Sequence, residues 1–194
     1  MKIAVFGATG MVGSRIAGEA EARGHEVTAL SRSTGADMAD AATVHEAAAS
    51  HDVIVSATGP SRTGESHEPW LASVSTLIQN AGDARVLFVG GAGSLLTPDG
   101  TRLLDSEGFP EEYKAEASSG AAALELFRAA PDAVDWTFVS PSPVIAPGER
   151  TGSYATALDT PAGDFVSAED YAAALVDEIE EPQHRRQRFT VASV

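Results

Sequence analysis

Three glycines at regular intervals, Gly7, Gly10 and Gly13, follow a short apolar run at the start of the chain. The apolar run is typical of a β-strand, and the residues after it have the spacing of an amphipathic helix. A helix that begins directly after a strand presents unpaired backbone N–H groups and the positive end of its dipole, and glycine lets a phosphate approach closely. The spacing therefore predicts a site for the pyrophosphate of a dinucleotide, with a plain strand-to-helix turn as the alternative. No lysine stands directly after Gly10 or Gly13, which excludes a nucleoside-triphosphate loop.

The residues after the second apolar run bear on which dinucleotide would bind. That run ends at Leu30 and is followed by Ser31 and Arg32, with no acidic residue beside them. A carboxylate at this place binds the ribose 2′-hydroxyl of NAD, whereas the 2′-phosphate of NADP calls for a cation. The sequence favours NADP over NAD, and an exposed surface arginine is the alternative.

Other reactive side chains lack the spacing that their chemistry requires. The chain has no cysteine, no G-x-S-x-G motif and no close pair of histidines around a carboxylate. This argues against a cysteine nucleophile, a serine hydrolase of the α/β kind and a protein-bound transition metal. His67 lies in a loop that could reach a pocket, although such a histidine is more often solvated. Arg150 could bind an anionic group or pair with a surface carboxylate. Trp70 could cover a pocket, but packing against the next helix is favoured.

The remaining pattern shows which elements must position these residues. Six short apolar runs, rich in β-branched or aromatic residues, predict strands at 2–6, 26–30, 52–57, 85–89, 135–140 and 188–192. Five segments with helical spacing lie between them, at 11–23, 43–50, 69–81, 110–130 and 168–180. Ser167 and Asp170 stand where the N-cap and third residue of the last helix are expected.

Alternating strands and helices, with strands apolar on both faces, predict an α/β fold. Its sheet is mainly parallel, carries helices on both faces and has right-handed crossovers. Together with the glycine turn this indicates one doubly wound Rossmann-type domain over residues 1–194. Two irregular stretches, 90–109 and 141–165, leave strands at the carboxyl edge of the sheet, where ligands bind in such folds. We expect them to form the walls of a substrate pocket.

Composition limits the partners of such a domain. The 194 residues carry a formal net charge of −15, which disfavours binding to nucleic acid and to anionic lipid. No apolar stretch approaches the roughly 18 residues that a membrane span needs, and the first residues do not resemble a secretory leader. We expect a cytoplasmic protein that is a monomer or a homodimer, with a small molecule as its partner.

The motifs together resemble those of the atypical short-chain dehydrogenases. The chain contains "FGATGMVGSRIA", "LSRS", "DVIVSATG", "FVGGAGSL" and "DWTFVSPSPVIAPGERTGSY". In particular it resembles the NAD(P)H-binding group that includes the biliverdin/flavin reductases and NADH-flavin reductases, and the resemblance runs over nearly the whole chain. It implies a Rossmann fold and a nicotinamide cofactor more strongly than it implies a particular reaction.

The resemblance also implies positions for cofactor-binding residues. Those at the pyrophosphate would be Gly7, Thr9, Gly10, Met11, Val12 and Gly13, with Arg32 at the 2′-phosphate. The adenine would lie beside Asp37 and Met38, although Asp37 could equally be a loop or helix-capping residue. The cofactor would pass along Ala57, Thr58 and Gly59 and reach its nicotinamide near Ser140, Pro141 and Ser142.

Catalytic residues are less well defined by this resemblance. The larger short-chain family uses a tyrosine with a lysine four residues later, on one helix face, so that the ammonium lowers the pKa of the phenol. Here Ala117 stands four residues after Tyr113, and Lys114 is adjacent, about 100° around the helix. Tyr113 is therefore a catalytic candidate or a lid-anchoring aromatic. Ser94 matches a family serine that could bond a substrate carbonyl, with a turn residue as the alternative.

The predicted function is an NADP-preferring oxidoreductase that passes hydride to a small planar acceptor, such as a flavin, quinone or conjugated carbonyl. Hydride transfer to such a ring needs mainly alignment, and solvent can supply the proton, which fits the missing lysine. A non-catalytic NAD(P) sensor of the nitrogen-metabolite-repressor-like kind is one alternative. A sugar-type epimerase or dehydratase that uses the cofactor transiently is another.

Overall fold

Nine strands and five helices make up the chain, and the computed structural model describes residues 1–194. The strands are β1 (Lys2–Phe6), β2 (Glu26–Leu30), β3 (Val53–Ser56), β4 (Arg85–Val89), β5 (Trp136–Pro141), β6 (Val144–Ala146), β7 (Tyr154–Ala157), β8 (Phe165–Ser167) and β9 (Gln187–Ser193). The helices are α1 (Met11–Ala22), α2 (Ala41–Ser50), α3 (Glu68–Asn80), α4 (Glu111–Arg128) and α5 (Ala168–Glu180). All six predicted strands and all five predicted helices are confirmed to within two residues at each end.

Seven strands form one sheet in the order β2-β1-β3-β4-β5-β9-β7. Every pair is parallel except β7, which runs antiparallel to β9 at one edge. The chain leaves β1 towards β2 on one side and continues through β3 on the other, so the strand order reverses between β1 and β3. A doubly wound α/β fold with a mainly parallel sheet is confirmed, and this reversal is where such folds bind their ligands.

Each face of the sheet packs against its own set of helices. Alternate residues of β1 point to opposite faces, so Ala4 and Phe6 join a cluster with α2, α3 and α4, while Ile3 and Val5 join one with α1 and α5. The first cluster includes the stacked rings of Phe88 and Phe138, whose centroids are 5.3 Å apart. This double burial explains why the strands read as continuous apolar runs.

The irregular stretch predicted at 141–165 contains two strands, β6 and β7, and the first residue of a third, β8, none of which the sequence indicated. β6 and β8 form a separate two-stranded parallel sheet, and β7 is the edge strand described above. The three strands are only three or four residues long and are separated by proline and glycine, so they carry no strand pattern.

The start of α5 fixes the loop after β6. The Ser167 hydroxyl accepts the Asp170 N–H at 2.9 Å, which confirms the predicted N-cap. The fully buried Asp170 carboxylate accepts the N–H groups of Thr151 and Gly152 at 2.8 and 2.9 Å, and hydroxyls of Thr151 and Ser193 at 2.9 Å. Burial by itself raises the pKa of Asp170, but these hydrogen bonds outweigh it and hold the pKa below its ordinary value.

A buried ion pair lies at the amino edge of the sheet. The guanidinium of Arg85 on β4 donates to the Glu178 carboxylate at 2.5 Å and to the Thr137 hydroxyl at 2.9 Å. The same carboxylate accepts the backbone N–H and the ring nitrogen of His184 at 2.9 and 2.8 Å. This network joins β4, α5 and the segment that leads into β9, at the edge opposite the glycine turn.

Candidate functional site

The glycine turn is packed tightly between β1 and the end of β3. Gly7 has a φ of +78°, and a Cβ added there would stand 2.6 Å from the carbonyl oxygen of Ala57. A Cβ on Gly13 would stand 2.2 Å from the carbonyl oxygen of Gly7. At Gly10 the nearest atom would be 3.4 Å away, an ordinary contact. Glycine is therefore required by packing at the first and third positions, whereas at Gly10 it leaves the approach to the helix open.

The first turn of α1 has free hydrogen-bond donors. Gly10 is the N-cap, it provides no side-chain cap, and the first turn contains no acidic residue. The backbone N–H groups of Met11, Val12 and Gly13 have no acceptor in the protein, and the first helical bond runs from Ser14 N–H to Gly10 O at 3.0 Å. Three donors and the positive end of the dipole therefore converge at the carboxyl edge of the sheet, an arrangement suited to a phosphate. Thr9 is exposed in the turn that precedes them.

Arg32 lies exposed in a single turn of 3-10 helix directly after β2. The Gly7 N–H donates to Leu30 O at 3.0 Å, so the glycine turn and the end of β2 adjoin. Every other arginine of the chain has a carboxylate within 4.0 Å, but Arg32 has none. In a chain with 28 acidic and 13 basic residues, an unpaired guanidinium at this position stands out from the ordinary surface arginine.

The predicted adenine and cofactor-edge residues flank the end of β3. Asp37 accepts the Ala39 N–H at 2.9 Å in a turn before α2, which is the loop alternative considered above, whereas Asp40 caps the helix. Met38 is buried, with its sulfur 3.3 Å from the Ser56 hydroxyl. Ala57 and Thr58 are half-buried and Gly59 is exposed, directly after β3.

Trp70 and His67 form hydrogen bonds with residues of the loop that follows β3. The Trp70 indole N–H donates to the Thr58 hydroxyl at 3.2 Å, and its ring lies 6.1 Å from that of Phe88. Trp70 therefore packs against the core, as favoured above, and also orients Thr58. The two ring nitrogens of His67 lie 2.8 Å from the Ser119 hydroxyl and the Ser61 carbonyl, so His67 ties the loop after β3 to α4 rather than being solvated.

The end of β5 carries an unpartnered hydroxyl. Ser140 is fully buried, and its hydroxyl has no hydrogen-bond partner in the protein. Pro141 is also buried, and the next hydroxyl, of Ser142, donates to Val191 O at 2.8 Å. On the neighbouring strand, a Cβ at Gly90 would stand 1.9 Å from the Phe138 ring, so only glycine lets the chain leave β4 there. These residues place a buried polar atom at the sheet edge where a nicotinamide is expected.

The two catalytic candidates differ in exposure. Ser94 is 9% exposed and its hydroxyl accepts from the Arg188 guanidinium at 3.2 Å. Tyr113 is 57% exposed near the start of α4, and its hydroxyl has no partner in the protein. Lys114 bonds Glu111 at 3.3 Å, so no tyrosine–lysine pair is formed.

No local pattern indicates that Arg188 donates to Ser94, because the two residues are 94 positions apart. Arg150 forms the salt bridge considered above: its guanidinium binds both carboxylate oxygens of Glu19 on α1, at 2.6 and 2.7 Å. This contact lowers the pKa of Glu19. Arg150 is therefore engaged in holding the loop after β6 against α1.

The model of a family described as NAD(P)H-binding matches residues 7–182. The chain belongs to this family. The match begins at the first glycine of the turn and includes every residue predicted to bind cofactor. None of the helices combines the length and apolar character that a membrane span needs.

Three solved structures are similar to this member of the NAD(P)H-binding family over nearly their whole length. A "putative exported protein" from Burkholderia pseudomallei is 46% identical, with 99% of each chain covered and a TM-score of 0.88. A "putative epimerase" from Bacteroides thetaiotaomicron is 35% identical, with 100% and 97% covered and a TM-score of 0.88. A "putative NADH-flavin reductase" from Streptococcus pneumoniae is 34% identical, with 100% of each chain covered and a TM-score of 0.87. The three relatives thus share the fold, and the two whose names state a reaction state different ones.

Proposed function

We propose that the protein is an NADPH-dependent reductase that transfers hydride to a small planar acceptor, such as a flavin, a quinone or a conjugated carbonyl. The observation that carries the proposal is the unpaired Arg32 beside a helix N-terminus with three free N–H groups. Membership of an NAD(P)H-binding family and a relative named as an NADH-flavin reductase support the reductase part.

The choice of NADPH rests on charge. A guanidinium and a phosphate form charge-assisted, bidentate hydrogen bonds, and Arg32 has no carboxylate to compete for its donors. An NAD-specific site would instead be expected to present a carboxylate to the 2′-hydroxyl, and the residues at the end of β2 are Ser31 and Arg32.

The residues around the nicotinamide would act by orientation. The bound cofactor would supply the hydride. Gly7–Gly13 would hold the pyrophosphate, while Ser140 and Pro141 would lie beneath the nicotinamide at the end of β5. The Ser94 hydroxyl accepts from Arg188 and so keeps its own proton to donate to an acceptor carbonyl. Tyr113, exposed above the same edge, is the second candidate for contact with the acceptor.

Replacement of Arg32 tests the cofactor assignment directly. We expect Arg32→Ala to weaken NADPH binding roughly 10- to 100-fold, because a charge-assisted contact is lost, and to leave NADH binding nearly unchanged. Fluorescence titration of both cofactors measures this difference. The matched control is Arg185→Ala, which removes the same charge from an exposed arginine paired with Asp135 at the opposite edge of the sheet. An equal loss for both cofactors would contradict the assignment.

A non-catalytic NAD(P) sensor is the second candidate, favoured by the absence of a tyrosine–lysine pair at Tyr113 and Lys114. The two are separated by following absorbance at 340 nm with NADPH and a panel of flavins, quinones and enals. Acceptor-dependent oxidation supports the reductase, whereas tight binding without turnover on any acceptor supports the sensor. The epimerase alternative, suggested by one relative's name, predicts cofactor retained through purification.

A further inference from the structure

A cavity of about 320 Å³ lies on the α4 side of the sheet, away from the glycine turn. Its walls are α4, the segment after Ser94, and a floor formed by Arg188 of β9. None of the residues predicted to bind cofactor lines it. Its apolar surface is provided by Leu96, Leu104 and two alanines of α4.

Arg188 is unusual because its charge is inside the sheet. Its side chain is 2% exposed, and its neighbour across the strands is Phe138. A buried charge is costly unless it is fully paired. The carboxylate partner of Arg188 is Asp159, whose side chain is 48% exposed, so a buried guanidinium is paired with a carboxylate that is half in solvent.

The hydrogen bonds of this pair leave donors unused. A single oxygen of Asp159, Oδ1, accepts from Nε and Nη2 of Arg188 at 2.9 and 2.5 Å and from Arg128 Nη2 at 3.2 Å. The other nitrogen of Arg188, Nη1, donates only to the Ser94 hydroxyl, at 3.2 Å. Arg188 Nη2 also donates to the Ser94 carbonyl oxygen at 3.5 Å, and Arg128 Nη1 donates to Glu125 at 2.8 Å. Since a guanidinium has five N–H groups, one N–H of Arg188 and three of Arg128 remain without a partner beside the cavity.

The charges around the cavity are nearly balanced, unlike those of the whole protein. Three arginines, Arg102, Arg128 and Arg188, line it with two carboxylates, Glu125 and Asp159, and Asp105 pairs with Arg102 at 2.6 Å. The cavity therefore lacks the excess of carboxylates that gives the chain its net charge of −15. Burial lowers the pKa of Arg188, and its hydrogen bond to Asp159 opposes this effect.

We propose that this cavity binds a small carboxylic acid with an apolar body. The carboxylate would receive the free N–H groups of Arg188 and Arg128, and the body would lie against Leu96 and Leu104. None of the residues predicted to bind cofactor lines the cavity, but Ser94, the proposed donor to the hydride acceptor, does, so the acid would lie beside the place proposed for the acceptor. Two planar guanidiniums match the planar shape of a carboxylate. The apolar walls would contact the body of an organic acid, whereas an inorganic anion has no apolar part to contact them.

Benzoate is a suitable probe for this site. We expect isothermal titration calorimetry to show one saturable site, with the same affinity in the presence and absence of saturating NADPH. Benzamide, the neutral analogue of the same shape, should bind at least roughly 10-fold more weakly, because it cannot form charge-assisted bonds. Equal binding of benzamide, tighter binding of inorganic phosphate, or no saturable binding of benzoate would each overturn the proposal.

Two variants locate the binding. Arg128 is partly exposed, so Arg128→Gln should fold and weaken benzoate binding roughly 10-fold. Ala122 is exposed and lines the cavity, so Ala122→Trp should fill it and abolish binding. The controls Arg185→Gln and Ala115→Trp lie outside the cavity and should bind as the parent does. Unchanged binding in both cavity variants would refute this location.

Discussion

Gly13 and Gly18 lie on the same helix, but a methyl group would meet different surroundings at the two positions. At Gly13 it would stand 2.2 Å from the Gly7 carbonyl oxygen, whereas no atom lies within 4 Å at Gly18. We expect Gly13→Ala to destabilise the protein by about 1–3 kcal/mol and to impair cofactor binding, because backbone must move. Gly18→Ala should stabilise it by about 0.5–1 kcal/mol. Urea unfolding measures both, and a Gly13→Ala protein of parental stability would contradict the packing described for the turn.

The proposed role of Ser94 predicts a change in turnover rather than in cofactor affinity. We expect Ser94→Ala to lower kcat about 10-fold or more with little change in NADPH binding, because it removes a donor to the reacting group. Ser118→Ala is the control, since that hydroxyl bonds the carbonyl of Lys114 within its own helix. Unchanged turnover with a measured acceptor would reduce Ser94 to a turn residue that accepts a hydrogen bond from Arg188.

At the scale of single residues, the sequence indicates which side chains could bind or react better than it indicates which residues they contact. The glycine spacing and the cation after β2 were readable because they are local patterns with a known backbone geometry. The pairing of Arg150 with Glu19 joins residues 131 positions apart, and that of Ser94 with Arg188 joins residues 94 apart. Only the fold decides which charged groups meet over such separations.

Among the strands and helices, too, those with a local sequence pattern were predicted and those held by distant contacts were not. Strands buried on both faces and amphipathic helices were predicted because each has a hydrophobic period. The strands β6, β7 and β8 were not, because they are short and pair with β8, β9 and β6, which lie later or earlier in the chain. Asp170 at the start of α5 fixes the loop between β6 and β7 by accepting four hydrogen bonds from Thr151, Gly152 and Ser193.

Replacing Asp170 therefore tests how α5 supports the wall after β6. We expect Asp170→Asn to cost about 1–3 kcal/mol at pH 7, or roughly 2–12 °C in Tm for a chain of this size. The pKa of Asp170 is lowered in the fold, so its contribution is present above the unfolded value near 3.8 and is lost as pH falls through the lower folded value. The gap in Tm should thus narrow below about pH 4. Asp83→Asn, at an exposed carboxylate, is the control, and a gap independent of pH would contradict this account.

The arginines of the whole molecule are distributed to offset its acidity. With the exception of Arg32, each is paired with a carboxylate, and several pairs join distant elements, such as Arg23 with Asp177 and Glu180 on α5. Exposed pairs contribute little stability one by one, so their main effect is to keep guanidiniums engaged. The exception then becomes informative, because a free guanidinium on such a surface marks a place for an anionic ligand.

The position of β9 predicts that the chain unfolds as one unit. This C-terminal strand lies between β5 and β7, with Val191 in the cluster against α1 and α5. Both tryptophans, Trp70 and Trp136, belong to the cluster on the opposite face. If residues 1–194 are a single domain, tryptophan fluorescence and far-ultraviolet circular dichroism should give the same urea midpoint. Val191→Ala should lower both midpoints together by the equivalent of about 1–3 kcal/mol. A fluorescence transition that stays in place while the dichroism transition shifts would instead divide the two faces into separate folding units.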